Sequence, residues 1–143
     1  MYNSVRIPMR GEQQHTVLAV DDDPAVLLLV SLILRRFNLR VFPANGAEEA
    51  LRIFHSLEQP PDLLLTDITM PGVSGPALAA EILRKCPGMR VLFMSGYDDG
   101  QIGERFVVNA EFPLLAKPFT FEKLGQQVTE ILNSKSRRLP VYA

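Results

Sequence analysis

Leu63-Leu64-Leu65-Thr66-Asp67-Ile68-Thr69-Met70-Pro71-Gly72 is the stretch that decides the fold, running three leucines up to a lone carboxylate and then into turn residues. A short apolar run bounded by turn signals reads as a strand buried on both faces, the pattern of a parallel sheet covered by helices. An unpaired carboxylate inside such a strand would be too costly, so Asp67 belongs where the strand ends and solvent or a cation begins. In open parallel sheets that carboxyl edge is where ligands bind. The rest of the chain supplies partners for Asp67.

Toward the amino terminus, Thr16-Val17-Leu18-Ala19-Val20 is a second apolar strand, and it stops at Asp21-Asp22-Asp23-Pro24, which combines a strand end, a cap and a proline suited to a helix's first turn. The spacing predicts a helix from about Pro24 to Phe37, with Val26, Leu29, Val30, Ile33 and Phe37 inward and Leu28, Ser31, Leu32 and Arg35 outward. Arg40 to Ala44 reads as a strand that Pro43 assigns to a sheet edge. After the Asn45-Gly46 turn, Ala47 to Leu57 sets Ala50, Leu51, Phe54 and Leu57 on one helical face, and Gln59-Pro60-Pro61 ends that helix.

Toward the carboxyl terminus, Leu78, Ala79, Ile82 and Leu83 give helical spacing between about Pro76 and Lys85, closed by Pro87-Gly88. Arg90 to Met94 is a fourth strand, ending at Ser95. From Gly100 to Asn109 the helical pattern is thin, because Gly100 and Gly103 each cost about 1 kcal/mol relative to alanine, so a fourth helix there should be short or mobile. Phe112 to Ala116 forms a fifth strand that delivers Lys117-Pro118-Phe119, and Thr120 caps a last helix with Phe121, Leu124, Val128 and Ile131 as its apolar stripe. Five strands alternating with helices through short connections imply an α/β fold, a parallel sheet with helices on both faces. Residues 1–14 are expected to be a flexible extension, 15–135 one domain, and 136–143 a flexible basic tail.

Composition narrows the function classes. The 143 residues are 47% apolar, enough for one domain with a real core. Fifteen Lys plus Arg balance 16 Asp plus Glu, so no overall field favours nucleic acid or a membrane surface. Lys135, Arg137 and Arg138 read as a solvated tail. Cys86 is the single cysteine, which excludes an internal disulfide and a multi-cysteine metal site, and His15 and His55 have no ligand partners nearby in sequence. No run approaches the roughly 18 apolar residues of a membrane span, and residues 1–15 carry no signal-peptide core. A cytoplasmic location is expected.

Three strands end in acidic or hydroxyl residues, Asp21-Asp22, Asp67 and Ser95, and the fifth ends in Lys117. In a parallel sheet these ends share one edge. Carboxylates gathered there repel one another unless a cation intervenes, and hard oxygen ligands suit Mg²⁺ better than zinc or copper. With no Gly-rich phosphate loop in sight, the chemistry rests on Asp67 as an oxygen nucleophile, with the metal and Lys117 neutralising an anionic group such as a phosphoryl. Taken singly, Asp21-Asp22-Asp23 would be ordinary helix capping, Ser95 a loop residue and Lys117 a solvated charge.

Their joint order is what carries a resemblance. Val17-Leu18-Ala19-Val20-Asp21-Asp22-Asp23, Leu65-Thr66-Asp67-Ile68-Thr69-Met70-Pro71-Gly72, Met94-Ser95-Gly96-Tyr97 and Ala116-Lys117-Pro118-Phe119 occur in sequence, and over about residues 15–135 the chain resembles the receiver domains of bacterial two-component response regulators. The resemblance implies a flavodoxin-like doubly wound sheet of order 2-1-3-4-5 and a cis Lys117-Pro118 bond. It implies that Asp67 accepts a phosphoryl group from a sensor histidine kinase or a histidine phosphotransfer protein. It assigns Mg²⁺ to Asp22, Asp67 and the backbone carbonyl of Thr69, with Asp21 acting through water. Lys117 would pair with Asp67 and then with the phosphoryl oxygens, while Ser95 would hydrogen-bond the phosphoryl group and couple it to the surface of residues 100–109, the fifth strand and the last helix. Thr69 and Tyr97 would flank the path of the hydrolytic water. Catalysis would extend only to the domain's own phosphorylation and dephosphorylation.

Departures from the family pattern qualify the output. Leu114 stands where many members place an aromatic switch residue, and Ser74-Gly75 replaces the usual Asp-Gly. No output domain follows residue 135 in this sequence, so a stand-alone receiver is expected, acting through a downstream protein partner, a homodimer or a phosphorelay. Leu28 and Leu32 on the outer face of the first helix mark a docking or self-association surface. The competing reading is an adaptor that keeps the fold and signals by protein contact without phosphorylation.

Overall fold

A computed structural model describes residues 14–96 and 112–134. In chain order these form β1 (Thr16–Val20), α1 (Pro24–Arg36), β2 (Arg40–Ala44), α2 (Ala47–Ser56), β3 (Leu63–Asp67), α3 (Gly75–Lys85), β4 (Arg90–Ser95), β5 (Leu114–Ala116) and α4 (Phe121–Asn133). The strands make one sheet of order β2-β1-β3-β4-β5, with every neighbouring pair parallel. The expected extension, the helix at 100–109, Tyr97 and the basic tail lie outside the described residues, apart from Gln14.

Strand side chains alternate between faces, and the chain uses both. Val17, Ala19, Leu63, Leu65, Leu92 and Met94 meet α1 and α4 on one side. Leu18, Val20, Leu64, Val91 and Phe93 meet α2 and α3 on the other. That double burial is why the strands read as continuous apolar runs. Strand β2 lies at the sheet edge, where the missing N–H of Pro43 does little harm. The opposite edge strand, β5, is shorter than expected, beginning at Leu114 rather than Phe112. Pro113 cannot donate to the ladder, and its carbonyl accepts from Phe93 N–H at 3.2 Å instead.

Two helices correct the sequence-based phase. In α1 the inward residues are Val30, Ser31, Ile33 and Leu34. Leu29, expected in the core, is 52% exposed, whereas Ser31, expected outside, is buried. The run Pro24–Arg36 is apolar nearly all round, so periodicity alone leaves its rotation open; packing on the sheet fixes it. Ser31 tolerates burial because its hydroxyl donates to the Leu27 carbonyl at 2.8 Å. In α4 the stripe holds at Leu124, Val128 and Ile131, but Phe121 is partly exposed and stacks on Phe37, with ring centroids 5.1 Å apart. A Cβ at Gly125 would overlap that same Phe37 ring. Glycine at 125 is thus what lets α1 and α4 close together.

Candidate functional site

The sheet delivers its chemistry at the carboxyl edge. Asp67 is the last residue of β3 and pairs in register with Met94, one residue before Ser95 ends β4. Ser95 in turn pairs with Ala116, one residue before Lys117. Hydrogen bonding continues past the strand ends, with Ile68 N–H donating to Met94 O at 3.0 Å and Lys117 N–H to Ser95 O at 2.7 Å. Asp67, Ser95 and Lys117 therefore lie side by side at the carboxyl ends of the adjoining strands β3, β4 and β5. Lys117-Pro118 is cis, as the resemblance implied.

Lys117 bridges the acids. Its Nζ lies 2.9 Å from Asp21 Oδ2 and 3.4 Å from Asp67 Oδ1. The tighter contact is with Asp21, which is 1% exposed and also accepts from Asp23 N–H at 2.9 Å. Burial by itself lowers the Lys117 pKa, but its hydrogen bond to Asp21 and the negative charge of Asp67 and Asp21 outweigh that, leaving the ammonium raised above its ordinary range. The side chain therefore stays charged through neutral pH.

One carboxylate oxygen from each of Asp21, Asp22 and Asp67 falls within 4.8 Å of the others. Asp21 and Asp67 are buried while Asp22 is exposed, giving the cluster one open side. Three carboxylates against a single ammonium leave it two positive charges short, and hard oxygens with access to water suit a divalent cation. Ser95 is buried at the same edge, its hydroxyl donating to the Gly96 carbonyl at 3.3 Å. Thr69 is exposed just beyond β3. Leu114 is part-exposed and borders, with Lys123, Gln126, Gln127 and Glu130, a shallow depression of about 440 Å³ between β5 and α4.

Gly75, the residue that Ser74-Gly75 keeps from the usual Asp-Gly pair, gains a role that sequence reading did not give it. A Cβ there would collide with the Asp67 carbonyl oxygen and stand 3.0 Å from its carbon and 3.1 Å from Ile68 Cα. Gly75 N–H also donates to Ile68 O at 2.8 Å, while Ser74 caps α3 by accepting from Ala77 N–H at 3.2 Å. The start of α3 is thus pressed against the main chain that holds Asp67. The only signal in the sequence was glycine directly after a capping serine.

Receivers of two-component systems are the class that this edge and sheet order define. Residues 17–129 match the response regulator receiver domain family, and the chain belongs to it. The sensor kinase CckA of Brucella abortus is 32% identical over 120 residues, which are 84% of this chain and 13% of that protein. The transcriptional regulatory protein GlrR of Escherichia coli K12 is 30% identical over 122 residues, 84% of this chain and 27% of that protein. The chain therefore spans a small fraction of these curated relatives. A response regulator receiver domain protein from Clostridium thermocellum superposes with a TM-score of 0.76 at 28% identity, covering 83% of this chain and 94% of that one. The receiver domain of NtrX from Brucella abortus gives 0.75 at 26% identity, covering 83% and 99%. Among the described residues, no helix is long and apolar enough to cross a membrane.

Proposed function

We propose that Asp67 accepts a phosphoryl group from a phosphohistidine on a sensor histidine kinase or histidine phosphotransfer protein. The observation that carries this reading is Lys117 Nζ, held 2.9 Å from Asp21 and 3.4 Å from Asp67 at the end of the central strand. A carboxylate oxygen of Asp67 attacks phosphorus, a P–O bond forms, and the P–N bond breaks with its electron pair returning to the imidazole, which takes a proton from solvent. Lys117 turns from its carboxylates to the incoming oxygens, offsetting the charge that phosphorylation adds. Asp22, Asp67 and the Thr69 carbonyl, with Asp21 acting through water, would hold Mg²⁺, which would supply further charge neutralisation.

Ser95 carries the signal outward in this reading. Its hydroxyl has one proton, now donated to Gly96 O. Donating it to a phosphoryl oxygen instead alters the end of β4 and, with it, the surface of β5 and α4 alongside, where a downstream partner reads it.

Intact mass after incubation with acetyl phosphate and Mg²⁺ should rise by one phosphoryl group. Asp67→Asn should abolish the gain, and a chelator should suppress it. Equal labelling of Asp67→Asn, or labelling indifferent to chelator, overturns the assignment. A parent chain that is never labelled favours the phosphorylation-independent adaptor.

A further inference from the structure

A nucleophile and a base meet at the carboxyl ends of α2 and α3, across the sheet from the acidic cluster. Lys85, the last residue of α3, sets its Nζ 3.0 Å from Nε2 of His55, one residue before the end of α2. An ammonium has no lone pair to offer, so Nε2 accepts this hydrogen bond and the ring proton sits on Nδ1. The imidazole is steadied edge-on against Phe54, with ring centroids 5.5 Å apart. Both Lys85 and His55 are exposed, so the pair is open to small molecules. Glu81, one turn before Lys85, accepts from Arg84 at 2.6 Å. That hydrogen bond, then the charge of Arg84, hold the Glu81 carboxyl below its ordinary range, and the charges of Lys85 and His55 add to this.

The other described lysines lack this arrangement. Lys117 is fixed as an ammonium between Asp21 and Asp67. Lys123 is exposed, and its Nζ has no hydrogen-bond or ion-pair partner among the described residues.

We propose that Lys85 is an acylation site, its Nζ the nucleophile toward an activated acyl donor, an acyl phosphate or a thioester, with His55 as general base. A lysine attacks only as the free amine. In that form the Nζ lone pair adds to the acyl carbonyl carbon, a C–N bond forms, and the carbonyl π pair moves to oxygen. The addition makes Nζ cationic, and the amine is expelled again unless it loses a proton. His55 Nε2 takes that proton along the hydrogen bond already in place. Collapse of the adduct breaks the bond to phosphate or thiolate, which leaves with the electron pair, and the imidazolium returns its proton to solvent. The Glu81 carboxylate favours that passing positive charge. Lys85 ends as a neutral amide and loses the charge that suits the carboxyl end of α3. Asp67, Ser95 and Lys117 take no part, so the proposal stands apart from phosphorylation.

The test incubates the full chain at about pH 8 with acetyl phosphate or with acetyl-CoA, in the presence of a chelator, and places acetyl groups by peptide mass spectrometry. With at least one donor, Lys85 should be acetylated about tenfold faster than Lys123, short of the roughly 10²–10⁴-fold of an enclosed general base because both side chains are exposed. The donor that shows the preference identifies the source as acyl phosphate or thioester. His55→Gln keeps an acceptor for Nζ but cannot take a proton, and should bring Lys85 down to the rate of Lys123. Its circular dichroism and thermal melting should match the parent, since position 55 is exposed. Asp67→Asn should leave the Lys85 rate unchanged. Lys85 reacting no faster than Lys123 with both donors overturns the proposal. So does a preference that survives His55→Gln, and so does one lost in Asp67→Asn, which would mean that the acyl group arrives through the acidic edge.

Discussion

Replacing Gly75 by alanine adds one methyl group and tests how the strand that ends in Asp67 is held. Alanine favours a helix over glycine by about 1 kcal/mol, so on propensity alone the variant should be more stable. Packing opposes this. The new Cβ would strike the Asp67 carbonyl oxygen and stand 3.0 Å and 3.1 Å from two further main-chain carbons, where unstrained carbon contacts lie near 3.5–4.0 Å. None of these atoms belongs to a side chain that could swing away. They are pinned by Gly75 N–H to Ile68 O at 2.8 Å and Ile68 N–H to Met94 O at 3.0 Å. Overpacking of this kind costs about 1–3 kcal/mol, so after the propensity gain the net expectation is a loss of up to about 2 kcal/mol. With a urea slope of about 2 kcal/mol/M, the midpoint should fall by up to about 1 M. Ser74→Ala is the control, since it removes the cap of the same helix at about 1 kcal/mol without crowding Asp67. At similar loss of stability, Gly75→Ala should slow labelling by acetyl phosphate and Ser74→Ala should not. A Gly75→Ala chain as stable as the parent and labelled at the parental rate would refute the reasoning.

Two further expectations concern the sheet's two ends. Lys117→Met should destabilise by up to about 3 kcal/mol, below the 3–5 kcal/mol of fully enclosed pairs because the lysine side chain is 21% exposed. A raised folded-state pKa means that the pair's contribution is present below the ordinary value of 10.5 and lost as pH rises through the folded value. Urea melts should accordingly give the same parent-to-variant gap at pH 7 and 9 and a narrowing gap only above about pH 10.5. At the amino edge, Asp62 Oδ2 accepts from Thr16 N–H at 2.8 Å and from Thr16 Oγ1 at 3.2 Å, linking the starts of β1 and β3. Asp62→Ala should cost about 1–2 kcal/mol and leave the labelling rate of Asp67 unchanged, whereas a slowed rate would show that the two ends are coupled.

The gathering of Asp21, Asp67, Ser95 and Lys117 at one edge was legible because the features that define it are local in sequence. A buried parallel strand must end before it can carry a carboxylate, so Asp21, Asp67, Ser95 and Lys117 each announced themselves at the end of an apolar run. The phase of α1 was not legible: Leu27, Leu28, Leu29, Leu32 and Leu34 surround the helix, and which of them face inward depends on the sheet beneath. Leu29 and Ser31 were misplaced for that reason. Gly75 drew no notice beside the change at Ser74, because its contact with Asp67 joins residues that only the folded turn brings together. The same holds for the preference of Lys117 for Asp21 over Asp67, a difference of 0.5 Å between 2.9 and 3.4 Å that no spacing encodes.

The glycine at 125 limits how the molecule can move. Where α4 has no Cβ, the ring of Phe37 from the end of α1 occupies the space, and Phe121 closes over it. Sliding one helix along the other would drive the ring into a neighbouring turn of main chain, so shear between them is closed off. Tilting about the ring remains open, as about the pin of a hinge. A partner gripping the outer face of α1 would then be sensed beside β5 as a change in the inclination of α4 at unchanged register, and a signal arising beside β5 would reach α1 by the same route in reverse.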